Sequence, residues 1–151
     1  MVDFTPTLNT LIILTVLAPI FSILSRRLNS PTVIEAYSIA ALTLSLYMAW
    51  MQAGEVFAGK TYRVAGEPPT AVIYVDQLSA FLSLVFISVG LLSSIFSVGY
   101  LEGRKQEFHP LLLAMVTGMV GVVFAGDLFT FFIFWEMMSI ASYLLVAFRY
   151  R

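Results

Sequence analysis

The 151-residue sequence has no cysteine, a single histidine and only 11% charged residues. A soluble domain carries about 25% charge, so an ordinary globular surface does not account for this chain. Without cysteine, and with one His, the chain alone cannot build a Cys/His metal site or ligate an iron–sulfur cluster. A net charge of -1 excludes a broad basic surface for nucleic acid. What is present in abundance is apolar: 60% of residues are hydrophobic, 15% are aromatic and the mean hydropathy is +0.92. These figures describe a chain whose solvent is lipid.

The positions of the few charges mark out the spans. Residues 4 to 25 are 22 in a row without charge, enough to cross about 30 Å of hydrocarbon at about 1.5 Å per residue. A cleaved signal peptide would have a basic start and a short apolar run. Here Asp3 precedes a long one, so a permanent helix is expected. A second helix is expected over 31–53, opened by Asn29-Ser30-Pro31. A third covers the 25 uncharged residues 77–101. The fourth is placed over 110–125, with Pro110 in its first turn, and the fifth over 128–148. The fold class expected is therefore an all-α membrane protein of five transmembrane helices in a single membrane domain. Between helices 2 and 3, segment 55–76 collects Glu55, Lys60, Arg63, Glu67 and Asp76 around glycines and Pro68-Pro69. Lys60–Ala65 and Thr70–Val75 are β-prone, which suggests a small hairpin on the outer face.

Lys and Arg set the orientation. Arg26, Arg27, Arg104, Lys105, Arg149 and Arg151 fall on one side, against Lys60 and Arg63 on the other. By the positive-inside rule the N-terminus is outside and the C-terminus cytoplasmic, in a multi-pass protein of the cell membrane.

Glu136 stands out. It is nine residues past Asp127, which puts it about 13 Å along helix 5 and near mid-bilayer. A carboxylate there costs about 2.5 to 3.5 kcal/mol on insertion scales, and both helix ends are too distant for capping. Ser139 and Tyr143 follow on the same helical face, giving a polar stripe aimed into a bundle. Such an acid is read first as a proton-binding group and second as hydrogen-bonded glue between helices. Asp76 and Asp127 are explained by capping helices 3 and 5. Glu35 suits the first turn of helix 2 electrostatically. His109, beside Pro110 at the cytoplasmic mouth of helix 4, is most simply a solvated interfacial residue, although with Glu35 it could form a proton entry. Gly118, Gly121 and Ala125 read as a close-packing surface, and Trp135, Met137 and Met138 as packing. No phosphate loop, nucleophile–base pair, metal cluster or cofactor site is expected.

The stretch from Phe124 to Val146, FAGDLFTFFIFWEMMSIASYLLV, resembles a motif of the antiporter-like membrane subunits. That family includes complex I proton-pumping subunits, Mrp antiporter large subunits and energy-converting hydrogenase membrane subunits. Val75-Asp76-Gln77-Leu78-Ser79 resembles the family's opening of helix 3 after an outer-face hairpin. The resemblance implies that Glu136 is the helix 5 glutamate, which binds a proton and pairs with a lysine on helix 7. Family members have about fourteen helices with inverted five-helix repeats, whereas this sequence stops after helix 5. Its two lysines, Lys60 and Lys105, read as loop residues.

The expected partners are the lipid bilayer and other membrane subunits, one of them bearing an intramembrane lysine, with no nucleic acid. The function expected is that of a membrane subunit in a cation- or proton-translocating complex. The alternatives are a structural subunit of such a complex and a small sensor or assembly factor working through its outer hairpin. A hydrogenase-type or related reductase arm, or a Mrp antiporter, is favoured over complex I as host.

Overall fold

The computed structural model describes residues 5–64, 72–101 and 104–147. The elements run α1 (Pro6–Arg27), α2 (Thr32–Phe57), β1 (Tyr62–Val64), β2 (Ile73–Val75), α3 (Gln77–Tyr100), α4 (Lys105–Phe124) and α5 (Leu128–Ala147). All five helices are long and apolar enough to cross a membrane. The strands pair antiparallel, with Tyr62 opposite Val75 and Val64 opposite Ile73. The expected strand ends at Ala65 and Thr70 lie outside the described residues.

Local chemistry accounts for the boundaries. α1 starts with Pro6 in its first turn and ends on Arg26 and Arg27, whose charges suit a helix C-terminus. Asn29, at φ 50°, turns the chain toward α2. α2 runs one turn past the expected end at Ala53, because Gly54 sits in open helix surface and breaks nothing. The stop is Gly59, at φ 95°, which only glycine adopts readily. Asp76 caps α3 reciprocally: its Oδ1 accepts from Ser79 N at 2.8 Å, and its own N–H donates to Ser79 Oγ at 2.9 Å.

α4 departs from expectation at its start. It begins at Lys105, five residues before Pro110, so this proline lies inside the helix. Proline has no N–H, which leaves the Gln106 carbonyl without its helical donor. Ser22 Oγ, from α1, donates to that carbonyl at 2.6 Å and repairs the loss. α1 also holds a proline inside the helix, Pro19, and near it Tyr37 Oη donates to the Leu14 carbonyl at 2.5 Å. The Tyr37 ring then stacks on Phe21, with centroids 4.1 Å apart.

α4 is the central helix, packed against α1, α2, α3 and α5, whereas α5 packs chiefly on α4. The core holds Leu11, Leu42, Ile87, Leu113, Val116, Val120 and Phe124. Buried among them are hydroxyls paired across helices: Thr15 with Thr117, and Ser38 with Ser94, both at 2.7 Å. The outer surface is lined instead by large apolar side chains such as Val16, Trp50, Leu92, Phe96 and Leu128. Small and polar inside, bulky and apolar outside, is the arrangement that lipid rewards, because hydrocarbon gives apolar side chains no reason to leave it.

Glycines set how closely α4 and α5 approach. A Cβ on Gly118 would meet the Met138 backbone nitrogen at 2.9 Å, and one on Gly121 would meet the Phe134 ring at 2.2 Å. The small-residue surface thus serves contacts within this chain.

Candidate functional site: an outward acid and an inward polar ladder

The stripe of Glu136, Ser139 and Tyr143 lies on α5, but its acid does not point into these five helices. Glu136 is exposed, Ser139 is half-buried, and Tyr143 is 74% exposed. Among the described residues Glu136 has no ion-pair or hydrogen-bond partner. Around it stand Phe132, Trp135 and Ile140, all exposed, with Phe131 and Trp135 stacked at 5.5 Å. The reason is geometric. α5 turns Phe134 and Met138 toward the α4 glycines, which carries residues 132, 136 and 143 to the opposite side.

The interior polar groups come from other positions. Glu35 and His109, expected at an interface and in solvent respectively, are both buried, at 6% and 0% exposure. The earlier start of α4 is the physical cause. With Lys105 as the first helical residue, His109 falls one turn inside and faces α2, and Lys105 is not a loop residue. Lys105 Nζ lies 2.6 Å from Glu35 Oε1 and donates to the Val98 carbonyl at 2.7 Å. One turn deeper, His109 Nδ1 lies 3.0 Å from Ser38 Oγ, which in turn pairs with Ser94 Oγ. Nε2 of His109 is buried with no partner among the described residues. Glu35 and Ser38 are three apart on α2, and Lys105 and His109 four apart on α4, so the contacts form two rungs between facing helices. Ser38, Ser94 and Lys105 did not stand out in the sequence. The spacings i, i+3 and i, i+4 around Glu35 and His109 were the available signal.

Outside this ladder, Arg26 Nη2 and Glu107 Oε1 pair at 3.0 Å, and Arg104 also pairs with Glu107. Both ion pairs are exposed and contribute little.

At the other end of the bundle, the hairpin is tied to the α4–α5 junction. Gly126 N donates to the Val72 carbonyl at 2.8 Å, and Val72 N donates to Thr130 Oγ1 at 3.0 Å. A Cβ on Gly126 would meet Val72 Cγ1 at 2.8 Å, so glycine permits this approach. Asp127 Oδ1 accepts from Thr130 N at 3.0 Å and caps α5. Hydrogen bonds from Ser79 hold the Asp76 carboxyl below the usual carboxylate range, and bonds from Thr130 do the same for Asp127. Burial, then the bond to Glu55, pushes the Tyr62 hydroxyl up to about 12. Lys60 also pairs with Glu55, at 3.4 Å. No group of three or more His, Asp or Glu residues is placed to hold a metal among the described residues.

Comparison with known proteins places this arrangement in a family. The family model described as "NADH-Ubiquinone oxidoreductase (complex I), chain 5 N-terminus" matches residues 67–109. NAD(P)H-quinone oxidoreductase chain 5 of Picosynechococcus is 32% identical over 130 residues, covering 83% of this chain and 20% of that protein. The Na(+)/H(+) antiporter subunit A1 of Staphylococcus haemolyticus is 37% identical over 78 residues, covering 50% of this chain and 10% of its own length. The chain thus matches only a tenth to a fifth of these relatives' length. A chain of the membrane-bound sulfane sulfur reductase, an archaeal respiratory membrane complex, superposes with a TM-score of 0.79 at 23% identity. That match covers 91% of this chain and 29% of the other, and it establishes a shared fold. With five apolar helices, the helix 5 motif and these matches together, the chain belongs to the family of antiporter-like membrane subunits and is a multi-pass membrane protein.

Proposed function

We propose that this chain forms part of the ion-translocating machinery of a multisubunit membrane complex, with Glu136 as its intramembrane proton-binding group. The observation that carries the reading is an acid in the middle of α5 on a face that the described residues leave uncovered. An intramembrane carboxylate needs a partner or a water-filled path. In this reading, helices outside these 151 residues cover the α5 face and bring a cation, a lysine by analogy with the family, to Glu136. Ser139 and Tyr143 continue the polar stripe toward the end opposite the hairpin. Six basic residues against two support an N-terminus outside and a C-terminus in the cytoplasm. The names of the relatives support a Mrp-like, complex I-like or other respiratory host. This chain's own residues would bind and move a proton, while redox chemistry would belong to other subunits.

The test is Glu136→Gln in the intact host complex. Proton uptake into inverted membrane vesicles is expected to fall about tenfold or more, as when an essential acid–base group is lost, while a native gel shows normal assembly. Normal uptake in a fully assembled variant overturns the reading. Loss of assembly instead supports the second reading, in which the chain is a structural subunit and Glu136 a hydrogen-bonding anchor. The observation favouring that second reading is that Glu136 is exposed and has no hydrogen-bond partner among the described residues, which leaves it free to bond a neighbouring helix.

A further inference from the structure

The ladder between α2 and α4 has a feature that structural support does not need. A buried imidazole, 0% exposed, lies against Ser38 through Nδ1 and leaves Nε2 without a partner among the described residues, one turn from a half-buried ion pair. Burying a polar nitrogen unpaired is costly, and a leucine would fill the space without that cost. On the neighbouring rung stand two opposite charges, the Glu35 carboxylate and the Lys105 ammonium. α3 supplies Ser94 and the Val98 carbonyl. α1 supplies Ser22, with Arg26 engaged by Glu107. From the final turns of α5 the titratable residue is Tyr143, turned outward. On α4 itself, Phe108 meets the His109 ring edge-on, with centroids 5.5 Å apart.

We propose that His109 is a proton-accepting site controlled by exchange of the cation on Glu35. In the arrangement seen, Lys105 occupies Glu35; with that cation in place the ring would be neutral. Lys105 has a second acceptor in the Val98 carbonyl and is the more exposed partner of the pair, at 17% against 8% for their side chains. It can therefore release Glu35 toward water without losing every partner. Glu35 then faces His109 as the nearest remaining cation acceptor. A hydrated proton from the solvent at this end of the bundle transfers to Nε2. One N–H bond forms, one O–H bond of the hydronium breaks, and a water molecule is left. When Lys105 returns, the proton leaves for water by the reverse step, or passes from Nδ1 to the Ser38–Ser94 hydroxyl pair. The ligand is a proton, and the site lies at the end opposite the hairpin. The proposal deepens the transport reading, but its test is independent of Glu136.

His109 is the chain's one histidine, so histidine labelled with nitrogen-15 reports this ring alone when the full chain is held in lipid nanodiscs. The readout is the charged fraction of the imidazole at pH 6, from its two nitrogen shifts. The wild type is expected to be neutral, and Lys105→Gln to raise the charged fraction at least threefold. Lys105→Arg should match the wild type. Glu35→Gln combined with Lys105→Gln should return the ring to neutrality, because the attracting charge is then gone. Lys105→Met, which keeps the stem's packing, replaces Lys105→Gln if the latter does not fold. An unchanged ring in both Lys105→Gln and Lys105→Met overturns the proposal. So does a double variant as charged as the single one, since Glu35 would then have no part. Neither result bears on Glu136, whose test is transport.

Discussion

α4 and α5 are neighbouring helices of equal length, both 20 residues, and both are apolar enough to cross a membrane. Yet α4 buries His109, Leu113, Val116, Thr117, Gly118, Val120, Gly121 and Phe124, while α5 buries only Thr130 and Ala141. Hydrophobicity does not separate them. What separates them is size and polarity: α4 carries the glycines, hydroxyls and imidazole that close helix contacts use, and α5 carries four phenylalanines and tryptophan. In a membrane the buried helix is the one with small and polar residues, because bulk and apolarity fit lipid equally well. The exception on α5 is Glu136, which fits lipid badly, and this is why its uncovered face invites a functional reading.

The strongest way to break the comparison is to fill the seam. Gly121→Val and Gly118→Val push side chains into Phe134 and the Met138 backbone. Each is expected to destabilise the chain by about 1 to 3 kcal/mol or more, the usual penalty of overpacking, read as a lower thermal midpoint in detergent. On the uncovered face of α5, Ile140→Ala should change the midpoint of the isolated chain by no more than about 0.5 kcal/mol. Equal effects at the two places would mean that α5 does not lean on α4 as described.

A middle-sized effect is expected at the α3 cap. Asp76→Ala removes the carboxylate half of the capping box, leaving the bond from the backbone N–H of residue 76 to Ser79 Oγ, and should cost about 1 kcal/mol. Thr117→Val, which removes the hydroxyl shared with Thr15, should cost about 0.6 kcal/mol, the average for hydrogen bonds between membrane helices.

The smallest effects depend on pH and act at the hairpin end. The Asp76 and Asp127 carboxyls are held below their ordinary range. Their contribution is therefore full above that range and disappears as pH falls through the folded values. Amide exchange near the hairpin should accelerate as pH drops from 6 toward 3, after correction for intrinsic rates, and should stay unchanged in α4. Tyr62 works in the opposite sense. Its hydroxyl is raised from 10.0 to about 12, so its contribution is full below pH 10 and is lost as pH rises through about 12. Tyr62→Phe should abolish that alkaline loss.

Much of the fold was legible because the spans are bounded by charges that lipid excludes, and because Asp76 and Gly126-Asp127 carry recognisable cap chemistry. The start of α4 was not. A proline ordinarily marks a helix's first turn, and only the Ser22 hydroxyl on another helix lets Pro110 sit deeper. That single displacement also hid the ladder. Once α4 is assumed to begin at Pro110, Lys105 becomes a loop residue and His109 a solvated one, and the pairing with Glu35 and Ser38 has no basis. Periodicity along one helix cannot reveal which face another helix will cover. For the same reason Glu136 could be located in depth but not in direction.

The bonds between Val72, Gly126 and Thr130 have a consequence in time. β2 leaves the ribosome before α4 and α5, and Val72 and Thr130 are separated by 58 positions. β1 and β2 can pair as soon as both have been made, but the last hydrogen bonds of Val72 must wait until α5 is in place. The hairpin is thus finished late, as a clasp that closes only once α4 and α5 are in place, and its protection from exchange would date the docking of α5.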